Sequence, residues 1–219
     1  MTDRQGMDRR RFVRTVGAAG VAGAFGPRGG APVFAEQQEG AADFAKPANL
    51  KTGAQREPAY LAVNPMGKVP ALKHGDALVT EQVAVYLYLA DLFPKAKLAP
   101  AIDDPLRGPY LRWLAFYGSC FEPAIIDRSQ KREPAPRGMN PYGDFDTMFK
   151  TLTDQLAAGP YLLGSRFLAV DVLWGTALGW ITHFELIPAV PVIQGYVERV
   201  NARPAFVKAH ARDAELAAA

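Results

Sequence analysis

Asn64-Pro65-Met66-Gly67-Lys68-Val69-Pro70-Ala71-Leu72, followed after seven residues by Thr80-Glu81-Gln82, holds several structural signals in succession. Tyr60 to Val63 leads into it as a short helix that Pro65 stops, and Met66-Gly67 supplies the turn. Two extended runs follow, Val69 to Lys73 and Ala77 to Val79. They are split by His74-Gly75-Asp76, a hairpin signature in which His74 reads as a turn residue. Glu81 to Phe93 then has helical periodicity, with Val83, Leu87 and Ala90 on one face, Tyr86, Leu89 and Phe93 beside them, and Pro94 as its stop. Helix, hairpin and helix make half of an α/β unit.

Downstream the pattern becomes helical. Pro105 suits a first helical turn, and Leu106, Tyr110, Trp113, Tyr117 and Phe121 recur at helix spacing, with Phe116 adjacent. A Pro-rich polar loop from Arg128 to Pro141 precedes a second stripe of Phe145, Met148, Phe149, Leu152 and Leu156, closed by Gly159-Pro160. Val170 to Leu186 is apolar on nearly all sides and reads as a buried central helix, whose Asp171, His183 and Glu185 argue against a membrane span. Shorter helices are expected near Val190 to Val200 and Pro204 to Ala211.

Upstream, Asp8-Arg9-Arg10-Arg11-Phe12-Val13-Arg14 precedes a weakly apolar run, Thr15 to Phe25, of about eleven residues, too short to span a bilayer. It resembles a twin-arginine export signal, with Val33-Phe34-Ala35 as a cleavage site; an unstructured basic tail or misjoined leader is the other reading. The first reading implies a periplasmic protein, the second a cytoplasmic one. Residues 1–35 carry six Arg and two Asp, whereas residues 36–219 carry 19 basic and 20 acidic residues. The net charge of +3 therefore belongs to the leader, and no basic surface for nucleic acid follows from it. The 49% hydrophobic and 21% charged residues exclude disorder of the whole chain. One cysteine excludes an internal disulfide framework and a Cys-based zinc site, and with three scattered histidines no metal is expected.

The Asn64 to Leu72 stretch with Thr80-Glu81-Gln82, and then Gly159-Pro160-Tyr161-Leu162-Leu163-Gly164, Phe167 to Asp171 and Ala202-Arg203-Pro204-Ala205-Phe206, resemble in the same order the two domains of a glutathione S-transferase. The resemblance covers residues 44 to 219. It implies an α+β, mostly α fold: a leader over 1–43, a truncated thioredoxin-like α/β domain over 44–94, and an all-α domain over 105–219. It also implies a cis Val69-Pro70 bond, which would present the main chain of Val69 to the cysteinyl unit of glutathione as an added strand does; the plainer reading is that Pro70 starts an edge strand. The free N–H groups that open the next helix would take the γ-glutamyl carboxylate, while Glu81 accepts from the ligand's amino group. Gln82 stands where the family usually has Ser. Lys68 is either a partner for the glycyl carboxylate or a solvated lysine. Tyr110, Trp113, Phe116 and Tyr117 would line a pocket for a small hydrophobic electrophile, or are simply core. Cys120 reads as a small buried hydrophobe or as a thiol open to mixed disulfides, and His183 as a core or groove residue.

Two departures stand out. The family usually places Ser or Thr three residues before the position of Asp171, where this chain has Leu168, so about 1 kcal/mol of helix capping is forgone. Asp171 is then a folding residue opposing the helix dipole. The Tyr, Ser or Cys that activates the glutathione sulfur belongs to a first strand–turn–helix unit, and residues 1–43 contain none of the three, only Thr2 and Thr15. The catalytic residue is therefore left open. The expected function is conjugation of glutathione, as co-substrate, to hydrophobic electrophiles by a homodimer, and the alternative is a catalytically impaired glutathione- or partner-binding member.

Overall fold

The computed structural model describes residues 50 and 52–218. The expected leader and export signal, and the expected absence of a first strand–turn–helix unit, lie outside these residues. The described chain runs through α1 (Pro58–Leu61), β1 (Ala71–His74), β2 (Ala77–Thr80), α2 (Gln82–Leu92), α3 (Arg107–Phe116), a π turn (Tyr117–Phe121), α4 (Glu122–Ser129), α5 (Phe145–Ala157), α6 (Ala169–His183), α7 (Pro191–Asn201) and α8 (Pro204–Ala218).

β1 and β2 pair antiparallel in the register Ala71↔Thr80, Leu72↔Val79, Lys73↔Leu78 and His74↔Ala77. The two-residue connection is Gly75-Asp76, with Gly75 at φ 58°, a conformation glycine adopts without steric cost. His74 is thus the last strand residue rather than a turn residue, and its Nδ1 lies 2.7 Å from the Tyr88 hydroxyl, tying β1 to α2. Leu72 points inward and packs with Val85 and Leu89 of α2, with Val79, Tyr88 and Phe93 around them. The opposite side of α2, Tyr86 and Ala90, belongs to the large helical core, with Val83 and Leu87 packed against it. A helix apolar on two sides shows no single stripe, which is why Val85 escapes the sequence pattern. Hairpin and α2 form the ββα part of a thioredoxin-like domain, and α3 to α8 form an all-helical domain.

α3, the π turn and α4 form one continuous helical path from Arg107 to Ser129. Pro123 has no N–H to extend the ladder and its ring crowds the carbonyl four residues earlier; the π turn accommodates it with the Glu122 N–H donating to the Tyr117 carbonyl. The expected stripe survives the irregularity, since Tyr110, Trp113, Tyr117 and Phe121 are all buried. The last three surround Trp174 of α6, with ring centroids 5.7 Å from Trp113, 5.3 Å from Tyr117 and 4.8 Å from Phe121. The Trp174 indole N–H donates to the Trp113 carbonyl at 3.1 Å, which satisfies its one donor inside the core.

α6 is the buried central helix that its composition predicts, although it ends at His183 rather than Leu186. Leu168, its N-cap, offers no side-chain oxygen, so only the reciprocal half of a capping box is made: the Leu168 N–H donates to Asp171 Oδ2 at 2.9 Å. Asp171 Oδ1 accepts from the Leu162 N–H at 2.8 Å and from the Tyr196 hydroxyl at 2.9 Å, so one carboxylate joins the 159–164 loop, α6 and α7. α6 and α7 meet closely at Gly175, where a side-chain carbon would lie 2.6 Å from Val200 Cγ1. A bidentate pair from Arg107 to Asp91, at 3.0 and 3.1 Å, joins the start of α3 to the end of α2.

Candidate functional site

The pairing of Ala71 with Thr80 fixes where the site is. Residues 69–70 precede β1 and residues 81–82 follow β2, so the register sets Val69-Pro70 beside Glu81-Gln82 at one end of the hairpin. The Val69-Pro70 bond is cis, as the family resemblance implies.

Ahead of it, the chain is held by side chains that sequence reasoning did not single out. Asn64 is 3% exposed, its Nδ2 donates to the Lys68 carbonyl at 2.9 Å, and its Oδ1 accepts from the Met66 N–H at 3.1 Å. Tyr60 adds a second hydrogen bond to the same carbonyl, its hydroxyl donating at 2.6 Å. Gly67, at φ 58°, closes the turn, and any side-chain carbon there would come within 3.1 Å of the Gln55 carbonyl. In sequence Asn64 is only the residue before the helix-stopping Pro65; that it fixes a carbonyl four residues on is visible only once the turn is built. Asn64→Ala is therefore expected to cost about 1–3 kcal/mol of stability in urea unfolding, since it leaves buried turn groups unpaired. It should also weaken ligand binding several-fold, because it frees the backbone on which Val69 depends.

Glu81 adopts φ 65° and ψ 123°. A non-glycine residue there carries strain on the order of 1–3 kcal/mol, and such strain concentrates where backbone geometry serves a ligand. Its side chain is exposed and does not cap α2, although its carbonyl accepts from Val85 N–H at 3.0 Å. The first N–H groups of α2 thus receive no side-chain cap, which suits a ligand carboxylate. Gln82 opens α2 and is half-buried, with no side-chain cap over the first N–H groups of the helix. The Lys68 side chain is exposed, while Val69 and Pro70 are half-buried.

The four aromatic candidates do not share one environment. Tyr110, Trp113 and Tyr117 are core residues, and only Phe116 is partly exposed, stacked at 6.3 Å on Trp174 with the Arg112 guanidinium 4.9 Å from its ring. Cys120 is half-buried at the π turn, with Sγ 3.5 Å from the Pro141 carbonyl and 3.5 Å from Ser119 Oγ. His183, at the end of α6, is exposed and meets Phe184 edge-on at 5.1 Å.

Glu122 is the first residue of α4 and is half-buried. Burial pushes its carboxyl above the ordinary range, the nearby Tyr117 hydroxyl opposes that, and the charge of Glu81 adds to it. Among the described residues no group of His, Cys, Asp and Glu could hold a metal ion, and no helix is long and apolar enough to cross a membrane.

The family model for the glutathione S-transferase N-terminal domain matches residues 41–91. Over longer spans, the chain is 26% identical to the glutathione S-transferase GstA of Escherichia coli across 66% of this chain and 73% of that one. It is 26% identical to the glutathione S-transferase PARB of Nicotiana tabacum across 74% and 82%. Among solved structures, a glutathione transferase from Methylococcus capsulatus superposes with a TM-score of 0.60 at 32% identity, covering 71% of this chain and 78% of that one. A sphingomonad glutathione S-transferase solved with glutathione is 30% identical over the same shares, with a TM-score of 0.57. With the cis Val69-Pro70 bond, the hairpin register and the helical domain in place, these similarities identify the chain as a member of the glutathione S-transferase family.

Proposed function

We propose that the chain binds glutathione at the end of the β1–β2 hairpin and conjugates its thiol to small hydrophobic electrophiles. The observation that carries this is the juxtaposition of the Val69-Pro70 main chain with the uncapped N-terminus of α2. Val69 exchanges main-chain hydrogen bonds with the cysteinyl unit, as an added strand does, with Pro70 fixing the turn of the chain. The γ-glutamyl carboxylate takes the Gln82 N–H and its neighbours, Glu81 accepts from the amino group, and the exposed Lys68 reaches the glycyl carboxylate. Phe116 supplies apolar surface for the electrophile.

Chemistry rests on holding the sulfur beside the electrophile, for which placement alone is worth several kcal/mol of barrier. In a steady-state assay with glutathione and a chloronitrobenzene, the rate should exceed that of free thiol at equal pH. A rate no greater than the free-thiol one reduces the protein to a binder. Retention on immobilised glutathione should fall sharply in Glu81→Ala, and undiminished retention would contradict this placement of the ligand. The family suggests a homodimer, which sedimentation would test. The Arg9-Arg10 leader suggests export, and N-terminal sequencing that finds an intact Met1 in the cytoplasm would sink that part.

A further inference from the structure

We propose that the Arg107–Asp91 pair is a register clamp, which sets α3 along α2 and so holds the electrophile surface at Phe116 level with the thiol of bound glutathione. The inference rests on the conjugation reading above and adds two positioning residues to it, neither of which touches a substrate.

Its basis is the way the two helices run. Asp91, near the end of α2, pairs with Arg107, the first residue of α3. At the other end, Val83 in the first turn of α2 lies against Gly118, just past α3, where a side-chain carbon would sit 4.0 Å from Val83 Cγ2. The helices are therefore antiparallel neighbours that meet at both ends. From the clamp, Gln82 stands nine residues back along α2 and Phe116 nine residues on along α3. Nine residues of α-helix span about 14 Å, so two arms of equal length lead from one ion pair to the two halves of the reaction. A slip of one residue along either arm moves one half by about 1.5 Å against the other.

Packed helices can shift against one another by about 1–2 Å, and Gly118 has no side chain to interlock with Val83. The Arg107 fork removes that freedom. Its Nη1 donates to Asp91 Oδ1 at 3.0 Å and its Nη2 to Asp91 Oδ2 at 3.1 Å, while Nη1 also donates to the Pro100 carbonyl at 3.1 Å. Bonds in two directions from one planar group fix orientation as well as distance. The linker that carries Pro100 is itself fastened to the helical domain. Its Leu98 carbonyl accepts from the Ala169 N–H at 2.7 Å, and its Asp104 pairs with Arg166. Asp91 is thus held to a framework that belongs to the helical domain. With the Arg107 side chain 19% and the Asp91 side chain 52% exposed, the pair adds little to stability. What it supplies is geometry.

The test is steady-state kinetics of the whole chain with chlorodinitrobenzene at saturating glutathione, with calorimetric titration of glutathione alongside. In the reaction the thiolate sulfur bonds the ring carbon, chloride leaves with the carbon–chlorine electron pair, and the thiol proton passes to solvent. Arg107→Gln should lower kcat/KM for the electrophile at least about tenfold, since a misplacement of about 1 Å costs up to about a hundredfold. Its glutathione Kd should stay within about twofold of wild type, because glutathione lies on the ββα unit alone in that reading. The retained affinity also shows the variant to be folded. Asp91→Asn should act alike, and the double variant should be no slower than either single one. Arg107→Lys, which keeps the charge and loses the fork, should be as slow as Arg107→Gln. A wild-type rate in Arg107→Gln, a parallel loss of glutathione affinity, additive losses in the double variant or full activity in Arg107→Lys overturns the clamp. Wild-type protein that is no faster than free thiol overturns the conjugation reading beneath it.

Discussion

Asp171→Ala should destabilise the folded chain by about 3–5 kcal/mol, the scale for removing the acceptor from a buried, charge-assisted network. The carboxylate is fully buried and accepts from the Leu162 N–H, the Leu168 N–H and the Tyr196 hydroxyl. Alanine would strand three donors in the core. One of them, the Leu168 N–H, sits where the chain enters α6, whose N-cap Leu168 has no oxygen to share. Equilibrium urea unfolding measures the loss, and a change below about 1 kcal/mol would mean that water replaces the network.

The same residue gives the stability a pH dependence with a defined sign. Burial pushes the Asp171 carboxyl up from 3.8 to about 6, against the pull of its three hydrogen bonds. The folded state then holds a proton that the unfolded state releases. Stability falls as pH rises from about 4 to 6, by on the order of 2–3 kcal/mol, and is level above that window. Glu122, also raised by burial, acts in the same sense. Asp104 and Asp144 are lowered, chiefly by hydrogen bonds to Arg166 and Thr147, and act in the opposite sense at lower pH. In Asp171→Asn the slope between pH 4 and 6 should flatten, and a slope equal to that of wild type would assign it elsewhere.

Gly175→Ala should also be costly, although alanine is the better helix former by about 1 kcal/mol. The added carbon would lie 2.6, 2.7 and 2.8 Å from Cγ1, Cγ2 and Cβ of Val200. Because Cβ itself is in the clash, no rotamer of Val200 relieves it, so α6 and α7 must separate. An overpacked core of this kind loses about 1–3 kcal/mol. Val200→Ala should then rescue it: in that background Gly175→Ala should be neutral or stabilising, a coupling on the order of 1–3 kcal/mol. Simple additivity of the two substitutions would show that the helices do not meet as tightly as this.

What the chain reveals without coordinates is whatever depends on neighbours in sequence. Gly75-Asp76 between two extended runs, Pro65 ending a helix, and the Tyr110 to Phe121 stripe are local patterns, and each has its element in the fold. The Val69-Pro70 and Glu81-Gln82 pairs were legible as separate motifs, and hairpin register then brings them together. Features that depend on what lies across a gap were not legible. Val85 faces the hairpin while Tyr86 beside it faces the helical domain, so α2 has two apolar sides. Of the four aromatics expected near the electrophile, Tyr110, Trp113 and Tyr117 lie in the core, the last two packed edge-on against Trp174, which is far along the chain. Asp171 was recognisable as a folding residue from its capping-box position in the first turn of the helix, but its bonds to Leu162 and Tyr196 come from two other segments.

The π turn between α3 and α4 sets the direction in which α4 faces. Relative to a uniform α-helix, a π turn inserts one residue, and each residue advances the helix by roughly 100°. The segment from Glu122 onward is out of phase with the segment before Tyr117 by about that angle. The azimuth of Glu122 is therefore a matter of residue count. Deleting one residue between Tyr117 and Phe121 would swing it off the face that Gly118 presents to Val83, without altering a single group at the hairpin end.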